Sequence, residues 1–277
     1  MKIAALLTCF NRKDKTITCL NSVLNIIPTC HVYLVDDAST DGTSEAIKQN
    51  FPQVNIIQGN GNLFWSRGMY TAWKEALNGD YDYYLWINDD MTLYENFLDE
   101  LMNCEEWGKK CCIISGLVEN LSKTEIIYGG CDKNRKILQE SKEPQEITYM
   151  NGNIVLIPKK IVQEVGIIDP HLHHDLGDVD YGFMVIKHGY KVYSTRKAIG
   201  CSDSTAMCRV RLWNANIIKR FKRLYSPLGS NPNIAFYFRK KHYGIVNATI
   251  YWFYLHFINI LPDNLIVKIF GNKYLPQ

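Results

Sequence analysis

The first hundred residues alternate short apolar runs with segments whose apolar positions recur every three or four residues. Residues 2–8 (KIAALLT) and 31–35 (HVYLV) are runs of strand length. Between them Ile17, Leu20, Val23, Leu24 and Ile27 keep helical spacing up to Pro28. The stretch DDASTDGTSEAIKQNF then reads as a turn and an amphipathic helix. A strand over 54–58, a Gly/Asn-rich loop over 59–62, a helix over 66–77, a strand over 83–87 and a helix over 94–103 follow. Such alternation predicts an α/β fold with a mostly parallel sheet flanked by helices. The polar clusters Thr8–Arg12, Asp36–Asp41, Gly59–Asn62 and Asn88–Asp90 each follow a predicted strand directly. In a parallel sheet those loops converge on one edge, the edge where ligands bind.

The second half is less regular. Strands are predicted over 113–118 and 148–157 (TYMNGNIVLI), a short helix over 158–165, and a helix over 180–188 closed by Gly189. Residues 210–223 read as a basic helix and 244–270 as an aromatic helical hairpin. Pro262 interrupts that apolar stretch, and His256 and Asn259 dilute it, so no membrane-spanning helix of ~20 apolar residues is expected.

Charge divides the chain in the same place. Residues 1–204 carry 20 Lys and Arg against 27 Asp and Glu, whereas 205–277 carry 11 against one. The expected organisation is therefore an acidic body over 1–204 and a basic, aromatic helical extension over 205–277. An apolar content of 47% supports a proper core. Nine cysteines without paired CxxC spacing read as reduced thiols of a cytoplasmic protein. The apolar start breaks at Thr8 and Asn11, too early for a signal peptide, and reads as a first strand.

Adjacent carboxylates at a buried strand end repel unless a cation offsets them. Asn88-Asp89-Asp90 therefore suits a Mg2+ or Mn2+ site completed by phosphate oxygens, or, taken alone, an Asx turn capping the next helix. Asp36-Asp37 ends another strand, with Asp41 or Thr40 placed to cap the helix beyond and Asp37 placed to accept from a base or ribose. Downstream, GDVDYG sets Asp178 and Asp180 at a helix start, where a carboxylate can serve as general base.

Strand-VDDASTDGT, a strand-end NDD and a late GDVDYG, in that order, resemble the family 2 glycosyltransferases of GT-A fold. GNGNLFWSRGMYTAW is similar to that family's donor loop, and the combination stands nearest its rhamnosyltransferase-like and galactofuranosyltransferase-like branch. The resemblance covers residues 3–204. It implies an inverting enzyme that takes a sugar from a nucleotide-diphospho-sugar, with dTDP-rhamnose and UDP-galactofuranose both compatible. Mn2+ or Mg2+ is the implied cofactor. The implied acceptor is a glycan or lipid-linked sugar of surface polysaccharide synthesis.

The resemblance also assigns residues. Thr8, Phe10 and Arg12 border the base, Asp37 reads it, and Asn62 and Arg67 lie in the donor loop, Arg67 near the diphosphate. Asp90 holds the metal, and Asp89 faces the ribose or the metal's waters. Asp178 is the catalytic base and Asp180 its supporting acid. Three positions depart from the family pattern. Asn88 replaces an acid, Gly177 replaces a Glu, and Cys201 and Asp203 stand where relatives carry a metal-binding His. His242, His173 and His174 read better as surface or acceptor-side residues than as ligands, Trp65 as core or as a sugar platform, and Trp86 as core.

A nucleotidyltransferase would share the scaffold, but TCFNRKD after the first strand lacks the glycines that cradle a triphosphate. A carbohydrate-binding scaffold that has lost catalysis is the remaining alternative, supported by Asn88 and Gly177. No nucleic-acid partner is expected. The basic tail suits either a helical flap that completes the core with its charges in solvent or peripheral contact with an anionic inner membrane face, and a homodimer is compatible with the sequence.

Overall fold

Strand β1 (Ile3–Cys9) runs between β2 (His31–Asp36) and β4 (Tyr83–Ile87), parallel to both, and β3 (Asn55–Gln58) continues the parallel row beside β2. The computed structural model describes residues 1–203 and 209–274. Beyond β4 the sheet becomes mixed. β8 (Ile154–Pro158) pairs antiparallel with β4, and β6 (Cys112–Asn120) antiparallel with β8. β9 (Lys191–Ser202) runs parallel to β6, β5 (Thr92–Leu93) joins β9, and β7 (Ile126–Tyr128) joins β6. Ile87 at the end of β4 faces Ile154 at the start of β8. The chain entering β8 therefore arrives at the edge where β4 leaves the acidic cluster.

Alternation along β1 separates two layers. Ile3, Ala5, Leu7 and Cys9 pack with the apolar positions of α1 (Lys13–Ile26), α2 (Thr43–Asn50) and α4 (Phe97–Trp107). Ala4 and Leu6 face α3 (Phe64–Ala76), α5 (Lys159–Val165) and α6 (Gly177–Lys187). In that second layer Trp73, Trp86 and Tyr181 are fully buried and meet edge-on or tilted, with ring centroids 5.2–5.4 Å apart. Truncating such a residue costs about 3–5 kcal/mol.

Two expected elements are shorter than their patterns. Residues 148–153 are not strand, and β8 starts only at Ile154, after Gly152 and Asn153 make the contacts described below. The basic helix starts at Ile217 rather than 210, giving α7 (Ile217–Leu224), where Asn216 accepts from Lys219 N at 2.9 Å and caps it. Before that cap the chain turns Arg211 inward, where it donates to the carbonyls of Ile258 and Leu261.

The chain divides into two compact units, Met1–Pro170 with Gly177–Ser204, and His171–Leu176 with Thr205–Gln277. Residues 204–208, which include the expected boundary, lie outside the described residues. In the second unit α7 is joined by α8 (Pro232–Tyr243), α9 (Ile245–Ile260) and α10 (Asp263–Phe270), around Ala235, Leu255, Ile258, Ile266 and Tyr274. Asp263 anchors this unit by accepting from Arg211 Nη2 at 2.5 Å and Arg220 Nη2 at 2.9 Å.

Candidate active site

Asp37, just past β2, is buried and holds a loop. Its Oδ1 accepts from Gly61 N at 2.8 Å, and its Oδ2 from Leu63 N and Phe64 N, both at 2.9 Å. Both oxygens expected to face a base or ribose thus shape the turn that opens α3. Gly59 completes the arrangement, since a β-carbon there would fall 2.6 Å from Asp37 Oδ1. Asp36 accepts from Ser39 N at 2.9 Å and from the Ser44 hydroxyl, and Asp41 accepts from Thr43 N at 3.1 Å at the start of α2. The VDDASTDGT stretch is therefore a set of carboxylates that hold backbone.

Arg12, at the start of α1, faces the cluster after β4. Its Nη1 lies 3.2 Å from Asp89 Oδ1 and 2.8 Å from Asp90 Oδ2. Arg12, expected beside the base, supplies positive charge to the acidic pair. Burial pushes the Asp89 carboxyl up to about 6, with Arg12 pulling it down and Asp90 pushing it further up. Asp90 Oδ1 is buried and has no hydrogen-bond partner among the described residues. An orphaned carboxylate oxygen of this kind fits a hard divalent ion. Among the described residues no group of three or more His, Cys, Asp or Glu could hold a metal.

Asn88 occupies the first position of the cluster. The indole N–H of Trp65 can only donate, and it reaches Asn88 Oδ1 at 2.6 Å, which fixes the amide. Asn88 Nδ2 therefore donates to Asn153 Oδ1, while Asn88 N donates to Asn153 O at 2.9 Å. Asn153 Nδ2 is left buried and without a partner among the described residues. One residue earlier, Gly152 N donates to Asp178 Oδ2 at 3.0 Å, and Val179 N donates to Asp178 Oδ1 at 2.8 Å. The segment 151–153 thus links the acidic cluster after β4 to the acid that opens α6. Gly152 is required at its position. A β-carbon would fall 2.6 Å from the Trp65 ring and 3.1 Å from Asp178 Cβ. Neither Gly152 nor Asn153 is singled out by the sequence, where Asn-Gly-Asn has the composition of an ordinary turn.

Thr8 packs under α3 at Gly68, where a β-carbon would fall 2.3 Å from Thr8 Oγ1, and Phe10 is 53% exposed. Asn62 is exposed in the loop held by Asp37, and Arg67 Nε donates to Pro170 O at 3.1 Å. Asp180 is buried in the first turn of α6. Gly177, where the family pattern carries a Glu, packs on Ser66 and Ile168, with a β-carbon there 2.4 Å from Ser66 Oγ. Cys201 is buried in β9, and Asp203 pairs with Lys15 at 2.6 Å. His173, His174 and His242 fall in the second compact unit. Trp65 is half-buried, with its ring 5.7 Å from that of Trp86.

A family model described as Glycosyl transferase family 2 matches residues 5–166. Protein RfbJ of Shigella flexneri is 27% identical over 103 residues, 36% of this chain and 74% of that protein. Among solved structures, S. aureus TarS 1-349 in complex with UDP matches with a TM-score of 0.53 and 15% identity. That match covers 74% of this chain and 61% of that one. GalNAc-T7 with UDP, GalNAc and Mn2+ matches with a TM-score of 0.60 and 11% identity, over 97% of this chain and 57% of that one. The chain spans less than two thirds of either structure. At such identities the likeness is one of fold, and the fold is GT-A.

Proposed function

The chain belongs to glycosyl transferase family 2, and on that premise we propose that it is a metal-dependent, inverting enzyme using a nucleotide-diphospho-sugar. The acceptor is a hydroxyl of a glycan or lipid-linked sugar, and dTDP-rhamnose and UDP-galactofuranose are the donors to test first. The observation that carries this reading is the 151–153 segment. It ties the Asn88–Asp90 cluster and Asp178 to consecutive residues of one strand entry. A displacement at the anomeric carbon needs a base on the face away from the leaving diphosphate, supplied by a different chain segment from the one that holds the diphosphate.

In this reading Asp178 takes the proton of the acceptor hydroxyl. Its orientation is set by the Gly152 and Val179 N–H groups, and the first turn of α6 favours its charge. Asp180 supports it from the same turn. Asp90, with Asp89 beside it, would hold the ion, which would supply positive charge against the charge gathering on the leaving diphosphate. Arg12 adds a fixed positive charge at the same carboxylates. In this reading the loop fixed by Asp37, which includes Asn62, meets the donor, and Thr8, Phe10 and Arg67 contribute to the same donor contact.

Family membership favours this over a nucleotidyltransferase. The two departures that suggested lost catalysis have structural roles, since Asn88 joins Trp65 to Asn153 and Gly177 makes room for Ser66. The eight described cysteines are unpaired, in keeping with a cytoplasmic setting, and no described helix is long and apolar enough to cross a membrane. Peripheral contact with the inner membrane face and a homodimer both remain part of the proposal.

The test is a panel of nucleotide-sugars assayed by thermal shift and by donor hydrolysis, with and without Mn2+. A true donor at 100-fold over its dissociation constant should add ~2.7 kcal/mol of stability. A panel in which no nucleotide-sugar stabilises or is hydrolysed would overturn the proposal.

A further inference from the structure

Helix α9 is apolar on two sides. Ala248, Leu255 and Ile258 are buried in the second unit. Val246, Ile250, Phe253, Phe257 and Ile260 recur at spacings of four and three residues, so at 3.6 residues per turn they form one stripe. All five are between 50% and 70% exposed. Leu265, Val267 and Ile269 of α10 are exposed as well. An apolar stripe of this size on a folded unit marks a surface that meets something else.

Charge decides between a second copy and a lipid surface. Residues 209–274 carry eleven Lys and Arg and one acid, Asp263, which is already paired with Arg211 and Arg220. Lys219, Lys222, Lys240, Lys241 and Lys268 are exposed. A second copy meeting the same face would bring like charge against like. The positions flanking the stripe, Asn247, Thr249, Tyr254 and His256, offer no ion pairs of the kind that align paired helices. An anionic lipid surface complements both features, because it takes apolar side chains below the headgroups and attracts lysines at their level. Trp252 and Tyr251 on the same helix are residue types that favour the headgroup zone. At 16 residues α9 would be ~24 Å long, short of the ~30 Å hydrocarbon core, so it suits lying in the interface rather than crossing it.

We infer that the Val246–Ile260 stripe of α9 is a membrane-insertion face that seats the second unit on an anionic leaflet, with the exposed lysines of α7, α8 and α10 contacting headgroups. The inference does not depend on the transferase reading, and its test uses no donor. Full-length protein is sedimented with vesicles of phosphatidylcholine alone and of equimolar phosphatidylcholine and phosphatidylglycerol. Binding should require phosphatidylglycerol and weaken as salt rises. Phe253→Ser with Phe257→Ser should lower the partition coefficient by roughly tenfold or more. Phe253→Leu with Phe257→Leu, which keeps the stripe apolar, should retain binding, and Lys219→Gln with Lys222→Gln should weaken it. Failure to bind anionic vesicles at low salt would overturn the inference, as would binding that the serine pair leaves unchanged. A dimer seen by light scattering and dissolved by the serine pair would assign the stripe to a second copy instead, and would equally overturn it.

Discussion

Gly152 N donates to Asp178 Oδ2 at 3.0 Å, and the absence of a side chain at 152 is what lets the two backbones approach. A methyl group there would meet the Trp65 ring at 2.6 Å and the Asp178 β-carbon at 3.1 Å. Gly152→Ala is therefore expected to push Asp178 aside. A displacement of ~1 Å in a catalytic group can cost about 100-fold in rate, and overpacking adds about 1–3 kcal/mol of destabilisation. Turnover and urea unfolding of the same variant measure both effects. Unchanged turnover would detach Asp178 from the site.

Asp178→Asn keeps shape and retains an oxygen for one backbone N–H, but it cannot take a proton. Turnover should fall by about 100-fold or more, with the donor dissociation constant little changed. A matching loss of donor affinity would make Asp178 a binding residue.

Asn88→Asp restores the acid that the family pattern carries, yet it should not improve the protein. Trp65 would still donate to one oxygen, but the other would face Asn153 Oδ1, so the Asn153 amide would have to turn over. A third carboxylate would also join Asp89 and Asp90. We expect a loss of about 1–3 kcal/mol in unfolding free energy and no gain in turnover. Equal or higher stability by denaturant unfolding would show that the amide pair is dispensable.

Asp263→Ala removes the one acid shared by Arg211, whose side chain is fully buried, and Arg220, whose side chain is 8% exposed. Leaving buried charges without a partner typically costs about 3–5 kcal/mol. Limited proteolysis should cut the variant within the second unit well before the wild type. An unchanged cleavage pattern would show that the arginines find other partners.

The parallel half of the sheet was legible because each strand from β1 to β4 is a short apolar run ended by polar turn residues. The acidic cluster was legible for the same reason, since Asn88–Asp90 has no place in a buried strand. Its partners were not. Asn153 and Gly152 lie 65 and 64 positions from Asn88, and only the antiparallel entry of β8 brings them to it. Asp37 has the residue type of a ligand-reading acid, and nothing local shows that three N–H groups of residues 61–64 claim it. Arg211 and Arg220 sit in a basic run that reads as solvated surface, and their shared acid is a single Asp some 40 to 50 residues on. Helix α8 had a usable signal that the hydrophobic pattern masked: Asn231 followed by Pro232, with Asn231 Oδ1 accepting from Asn233 N at 3.0 Å.

The most direct test of the account is Mn2+-dependent turnover of a nucleotide-sugar donor by wild type and Asp90→Ala side by side. Asp90 Oδ1 is the orphaned buried oxygen of the cluster, and its Oδ2 already meets Arg12 at 2.8 Å. Removal of this carboxylate should abolish the stimulation by Mn2+ while the unfolding transition stays cooperative. Chelation of divalent ions should bring the wild type down to the same level. Normal Mn2+-stimulated turnover in Asp90→Ala, or wild-type turnover indifferent to chelation, would contradict the account.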